Sequence, residues 1–207
     1  MGTQFAKIPR KFLELDSGTK FIDVLVYAIL EFNKDGTSNK SRIGMRKIAE
    51  KYSISLLKVE QSIKRLKEYG FISIEKLPTK DNLYFNEYSF LKPNDNGFLM
   101  LNPTLLTEYL KPKERGILIY LQLIALPNMN DIVETKIEDI ANRLKITRQT
   151  MSKYLKFFVA NNYLSLSKTG LYKCKYLKYD LSRITQSIPN RGQDFKQRTE
   201  STYTVTL

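Results

Sequence analysis

Residues 48–74 read IAEKYSISLLKVEQSIKRLKEYGFISI, and residues 140–166, 92 positions further on, read IANRLKITRQTMSKYLKFFVANNYLSL. The pairing is position by position: Ile48 with Ile140, Ala49 with Ala141, Ile54 with Ile146, Ser55 with Thr147, Val59 with Met151 and Ile63 with Leu155. It continues through Leu66 with Phe158, Phe71 with Tyr163, Ile72 with Leu164 and Ile74 with Leu166. Repetition at a fixed offset marks one structural unit built twice. In each copy the spacing predicts a short helix, a tight turn, a longer helix and then a strand.

Working outward, each copy is preceded by a long apolar stretch. TKFIDVLVYAILEF (Thr19 to Phe32) and PKERGILIYLQLIA (Pro112 to Ala125) align at an offset of 93. Both are apolar on most faces, as expected of a central helix packed against several neighbours. Ahead of them, FAKIP (Phe5 to Pro9) is echoed by FLMLNP (Phe98 to Pro103), each read as an edge strand that stops at proline. The stretches Asn33 to Ile43 and Pro127 to Asp131 are rich in turn formers and read as loops.

Ser55 and Thr147 are placed to cap the longer helices, each directly after an apolar turn residue. Leu56, Val59, Ile63 and Leu66 recur every three or four positions, as do Met151, Leu155 and Phe158. Such stripes face a core. The helices end at Tyr69-Gly70 and Asn161-Asn162, where Gly or Asn suits a left-handed C-cap. Hairpins follow. The first runs Phe71 to Lys76 and Leu83 to Phe90, joined by the tip LPTKDN. The second runs Tyr163 to Lys168, turns on the pair Thr169-Gly170 and returns over Leu171 to Leu181. Its return strand alternates Tyr172, Cys174 and Tyr176 with Lys173 and Lys175, which puts Cys174 on the apolar face.

The expected fold is therefore mainly α with small β-hairpins (α+β), as two tandem winged helix-turn-helix domains. The boundaries read as 1–93 and 97–182, separated at KPNDNG, with a C-terminal tail over 183–207. The tail ends in STYTVTL, whose β-propensity suits an added strand or a partner contact; the alternative is a mobile tail.

Composition narrows the chemistry. The 207 residues carry 34 Lys and Arg against 21 Asp and Glu, a formal charge of +13, which favours a polyanionic partner. There is no histidine and one cysteine, so Cys/His zinc sites and His-based catalysis are excluded. No glycine-rich phosphate loop and no tight acidic cluster appears, and Glu138-Asp139 read as first-turn acids of a helix. The expectation is a non-enzymatic protein without metal or cofactor. The longest apolar stretch, Ile117 to Leu126, is half the roughly 20 residues that span a bilayer. MGTQFAKIPRKF lacks the features of a signal peptide, and a lone cysteine suits the cytoplasm.

A helix that enters the DNA major groove needs donor-bearing side chains opposite its core stripe. In the second copy, subtracting the stripe leaves Arg148, Gln149, Ser152, Lys153 and Lys156, with Thr147 and Thr150 on the first turn. Arg and Lys suit guanine edges, Gln suits adenine, and Thr suits a phosphate or a thymine methyl. In the first copy the same subtraction leaves Leu57, Lys58, Gln61, Lys64 and Arg65, while Lys80 lies at the hairpin tip. Leu57 and Glu60 make that face less like a base reader. From Lys136 to Lys178 there are ten Lys and Arg against two acids; from Ile43 to Lys80 there are nine against four. The second copy is thus the stronger phosphate footprint.

The run IAEKYSISLLKVEQSIKRLKEYGFISI resembles the winged-helix consensus. Two such units, each opened by a short strand and a long apolar helix, are similar to plasmid and phage replication initiator proteins. The resemblance covers most of residues 5–182. It implies double-stranded DNA as partner, two winged helices in successive major grooves of repeated origin sites, and dimerisation through one unit. Here the first unit and the tail are the candidate homodimer contacts. Carried over, Arg148, Gln149 and Lys153 read bases, while Lys168 and Lys173 hold wing phosphates. The chain is shorter than typical initiators. Two other readings stay open: a transcriptional regulator on promoter DNA, and a winged-helix module that docks a protein.

Overall fold

The computed structural model describes residues 5–13, 20–36, 38–78, 84–91, 97–102, 104–107, 110–125, 132–133, 135–166 and 171–174. The linker at 92–96, the hairpin tips bearing Lys80 and Lys168, and the tail lie outside the described residues. The first copy contributes β1 (Ala6–Pro9), a 3-10 turn (Arg10–Leu13), α1 (Phe21–Phe32), β2 (Lys40–Ser41), α2 (Met45–Tyr52), α3 (Leu56–Glu68), β3 (Ile72–Pro78) and β4 (Tyr84–Phe90). The second contributes β5 (Phe98–Leu101), α4 (Thr104–Thr107), α5 (Pro112–Ala125), β6 (Ile132–Val133), α6 (Ile137–Arg143), α7 (Arg148–Ala160), β7 (Leu164–Leu166) and β8 (Tyr172–Cys174). The architecture is α+β, with small antiparallel sheets beside the helices.

The two edge segments that echo each other in sequence pair with each other in space. β1 and β5 run antiparallel, with Ala6 opposite Leu101, Lys7 opposite Met100 and Ile8 opposite Leu99. At the offset of 93, Ala6 corresponds to Leu99, Lys7 to Met100 and Ile8 to Leu101, so the register exchanges equivalent residues about Lys7–Met100. The two copies thus meet about a local pseudo-two-fold axis. Ala6, Ile8, Leu99 and Leu101 are all buried on one face of this ribbon. Beneath it α1 packs on α5, and one buried apolar cluster runs through both copies.

The contact between α1 and α5 depends on a missing side chain. A Cβ at Gly116 would sit 2.2 Å from the Phe21 carbonyl oxygen, so only glycine permits this approach. Other ties cross between the copies. Arg115 of α5 is buried and donates to Leu106 O (2.5 Å) and to Tyr52 O (2.6 Å) at the C-terminus of α2. Burial pushes the pKa of its guanidinium below the ordinary value, and the carbonyl of a helix end is a favourable partner for its positive charge. Lys113 lies over the rings of both Phe21 and Tyr154, at 5.5 and 5.3 Å.

The turns of the two copies are the same in backbone terms. Between α2 and α3, Ser53 has φ 56°, and Ile54 N donates to Ala49 O at 3.0 Å. Between α6 and α7, Lys145 has φ 52°, and Ile146 N donates to Ala141 O at 3.0 Å. The long helices end alike. Gly70 (φ 69°) and Asn162 (φ 62°) are left-handed, and Phe71 N and Tyr163 N bond back to Leu66 O and Phe158 O. These are Schellman closures, which satisfy the last carbonyls and turn an apolar residue inward.

Several local expectations need correction. α1 starts at Phe21 rather than Thr19, because the Asp23 carboxylate accepts from Lys20 N at 3.0 Å. β2, within the stretch Asn33 to Ile43 read as a loop, and β6, just after the stretch Pro127 to Asp131, each add a third strand, giving the matched orders β2-β4-β3 and β6-β8-β7. Two residues carry too little periodicity to be seen as a strand in sequence. β3 extends to Pro78, past Lys76, because Pro78 can sit at the end of an edge strand. In the second hairpin Leu166 pairs with Tyr172, whereas a two-residue turn at Thr169-Gly170 would pair it with Lys173. The observed register leaves an odd number of residues between the strands. Cys174 is buried, on the apolar face as expected.

Candidate nucleic-acid interface

α7 is held by its stripe: Met151, Leu155 and Phe158 are all fully buried. Its N-terminus is fixed by Thr147, whose Oγ1 accepts from Thr150 N at 3.1 Å and lies 2.8 Å from Thr150 Oγ1. The side chains on the opposite face stand in solvent. Thr147, Arg148, Gln149, Lys153 and Lys156 are exposed, and Thr150 and Ser152 are partly so. Six of them (Thr147, Arg148, Gln149, Ser152, Lys153 and Lys156) border an open hollow of about 770 Å³. The structure therefore brings together the α7 residues singled out in the sequence.

Arg148 has a partner on α6. Its Nη1 donates to Glu138 Oε1 of α6 at 2.9 Å, with both side chains largely exposed. Glu138 and Asp139 do fall in the first turn of α6, where acids suit the helix dipole. The pairing with Arg148 gives Glu138 a second role, since it engages Nη1 of a side chain that is otherwise largely exposed. Sequence spacing alone gives no sign of this contact, since it joins two helices across the turn.

α3 is presented in a similar way, with Val59, Ile63 and Leu66 buried and Leu57, Lys58, Glu60, Gln61 and Lys64 exposed. Lys64 lies 3.9 Å from Glu68, a long and weak pairing along the helix. Arg65 is a correction. It was expected on the outer face, but it turns onto α1, where Nε and Nη2 grip Asp23 at 2.9 and 2.6 Å. Asp23 is itself buried and also accepts from Ser62 Oγ at 2.7 Å. The hydrogen bond to Asp23 lifts the Arg65 guanidinium further above its ordinary value. Arg65 thus docks α3 on the core instead of joining its outer face. A buried carboxylate must find donors, and Arg65 and Ser62 supply them together with Lys20 N.

The hairpin residues are reached only in part. Lys173 is placed in β8 by its backbone, opposite Ser165, while Lys168 and Lys80 lie outside the described residues. Two further exposed cations were not singled out from the sequence. Arg46 and Lys47 stand exposed on the first turn of α2, at the positions that Glu138 and Asp139 occupy in the second copy. The aligned offset carried this signal. At the base of the first sheet, Lys40 and then Arg42 hold the Glu87 carboxyl below its ordinary value, so the exposed Arg42 is engaged.

Among the described residues no group of three His, Cys, Asp or Glu side chains is arranged to hold a metal ion, and no helix is long and apolar enough to cross a membrane. No family model, curated protein or solved structure matches the chain.

Proposed function

We propose that each copy is a winged helix-turn-helix, spanning 1–93 and 97–182, and that the protein binds double-stranded DNA sequence-specifically. In this reading α7 lies in a major groove, where Arg148 and Gln149 meet guanine and adenine edges. Lys153 and Lys156 accompany them along the helix, and Lys168 and Lys173 of the wing hold phosphates. α3 enters a neighbouring groove with Lys58, Gln61 and Lys64, flanked by Arg46 and Lys47. The biological role in this reading is replication initiation or origin binding for a plasmid or other mobile element, in the cytoplasm.

One observation carries the proposal: the polar side chains of α7 share a single exposed face around an open hollow, while the opposite face is locked in the core. An excess of thirteen positive charges favours the same partner. Selection from a random duplex pool tests it. The full chain is expected to enrich a defined sequence. Affinity for that sequence should fall by roughly a thousandfold when salt rises from about 50 to about 200 mM, because six or more phosphates are neutralised. Arg148→Ala should flatten discrimination at one base pair by about 2 kcal/mol. No enrichment, or binding indifferent to salt, refutes the proposal. Whether the enriched sequence lies in iterated origin repeats or in a promoter separates an initiator from a regulator.

A further inference from the structure

Leu57 is 63 % exposed on the first turn of α3, an unusual place for a large apolar side chain on a polar helix face. The repeat puts it where α7 carries Gln149, the second helical residue and the side chain assigned to an adenine edge. The core does not account for it, since α3 buries Val59, Ile63 and Leu66 on another face. An apolar patch does not account for it either: among the described residues no other exposed large hydrophobic lies on α2 or α3. Its neighbours along α3 are Lys58, Glu60, Gln61 and Lys64, with Arg46 and Lys47 exposed on α2. A leucine alone among exposed polar and charged side chains, in a chain of formal charge +13, calls for an apolar feature carried by a polyanion.

The major groove offers one such feature. Of the groups on its floor, only the C5-methyl of thymine is apolar. We infer that Leu57 reads a thymine methyl, making the first copy a pyrimidine reader where the second reads purines. Glu60, exposed one turn further along α3, fits the same strand, because a carboxylate accepts from the N4 amino group of cytosine. The inference rests on the DNA-binding reading and sharpens it. The two half-sites differ in sequence even though the two copies share a fold.

The test replaces each thymine of the selected duplex, one at a time, by deoxyuridine, which lacks only the methyl group. Wild-type full chain is expected to lose about fourfold in affinity at one thymine in the half-site of the first copy, the worth of one buried methyl. Leu57→Ala should bind the thymine duplex about fourfold more weakly than wild type and show no uracil penalty there. Leu57→Gln should shift the preferred base at that position from thymine to adenine. Arg148→Ala should keep the uracil penalty, since it acts in the other half-site. The inference is overturned if no uracil substitution weakens wild type, or if Leu57→Ala keeps the penalty. It is also overturned if the free protein is a dimer that Leu57→Ala dissociates without changing the uracil response. A pool that yields no enriched sequence instead refutes DNA reading itself, so the two failures are told apart.

Discussion

Thr147 and Ser55 hold the same place in the two copies, one residue ahead of a long helix, but only the Thr147 hydroxyl closes a bond to the helix backbone. Thr147→Ala should therefore cost about 1 kcal/mol in a denaturant melt, while Ser55→Ala should be close to neutral. Equal losses would show that the cap of α7 has no special weight. Asp23 decides more. It is buried, and four donors converge on it: Lys20 N, Ser62 Oγ and two nitrogens of Arg65. Asp23→Ala strands a guanidinium and a hydroxyl against the core and should destabilise by about 3 kcal/mol. Arg65→Ala should lower stability as well, yet leave the DNA affinity of the folded protein unchanged. A loss of affinity without loss of stability would return Arg65 to the interface.

At the scale of elements, the copies dock their long helices by different means. α3 is tied to α1 through Asp23, Ser62 and Arg65, whereas α7 carries Tyr154 and Phe157 at the last two of these places. Tyr154, Phe157 and Phe158 form an aromatic group around the buried ring of Phe158. The place of Asp23 itself is taken by Gly116, whose missing Cβ lets α5 reach the backbone of Phe21. Gly116→Ala should force the two helices apart and lower stability by about 3 kcal/mol, read as a drop in melting temperature without loss of helical circular dichroism. An unchanged melting temperature would mean that the helices separate freely. The longer helices and the periodic strands were legible because their stripes repeat at 3.6 or 2 residues, whereas the single turn of α4 was not. β2 and β6 were not, since two residues gain a partner only from a strand distant in sequence. Nor were the left-handed Ser53 and Lys145, which lack the glycine that usually announces such a turn.

For the whole molecule, the pairing of β1 with β5 and the packing of α1 on α5 make one buried cluster out of two repeats. Arg115 reinforces the joint by bonding a carbonyl in each copy. The chain should therefore unfold in one cooperative step, with calorimetric and van't Hoff enthalpies equal. Two separable transitions would show that the copies are energetically independent. One shared core also joins the units that carry α3 and α7, so in the proposed DNA complex the spacing of half-sites follows from the α1–α5 contact.

By itself the sequence determined that one unit is made twice, where each helix turns its apolar face, and which face of α7 carries donors. Those properties are periodic and local, so they follow from residue spacing. Only the tertiary structure decided that the echoed edge strands bond to each other, that Arg65 faces inward, and that Arg148 leans on Glu138. Each of these depends on a partner in another element: Leu101 for Ala6, Asp23 for Arg65, Glu138 for Arg148. Burial and charge settle such choices once the elements meet, and spacing along the chain does not record the meeting.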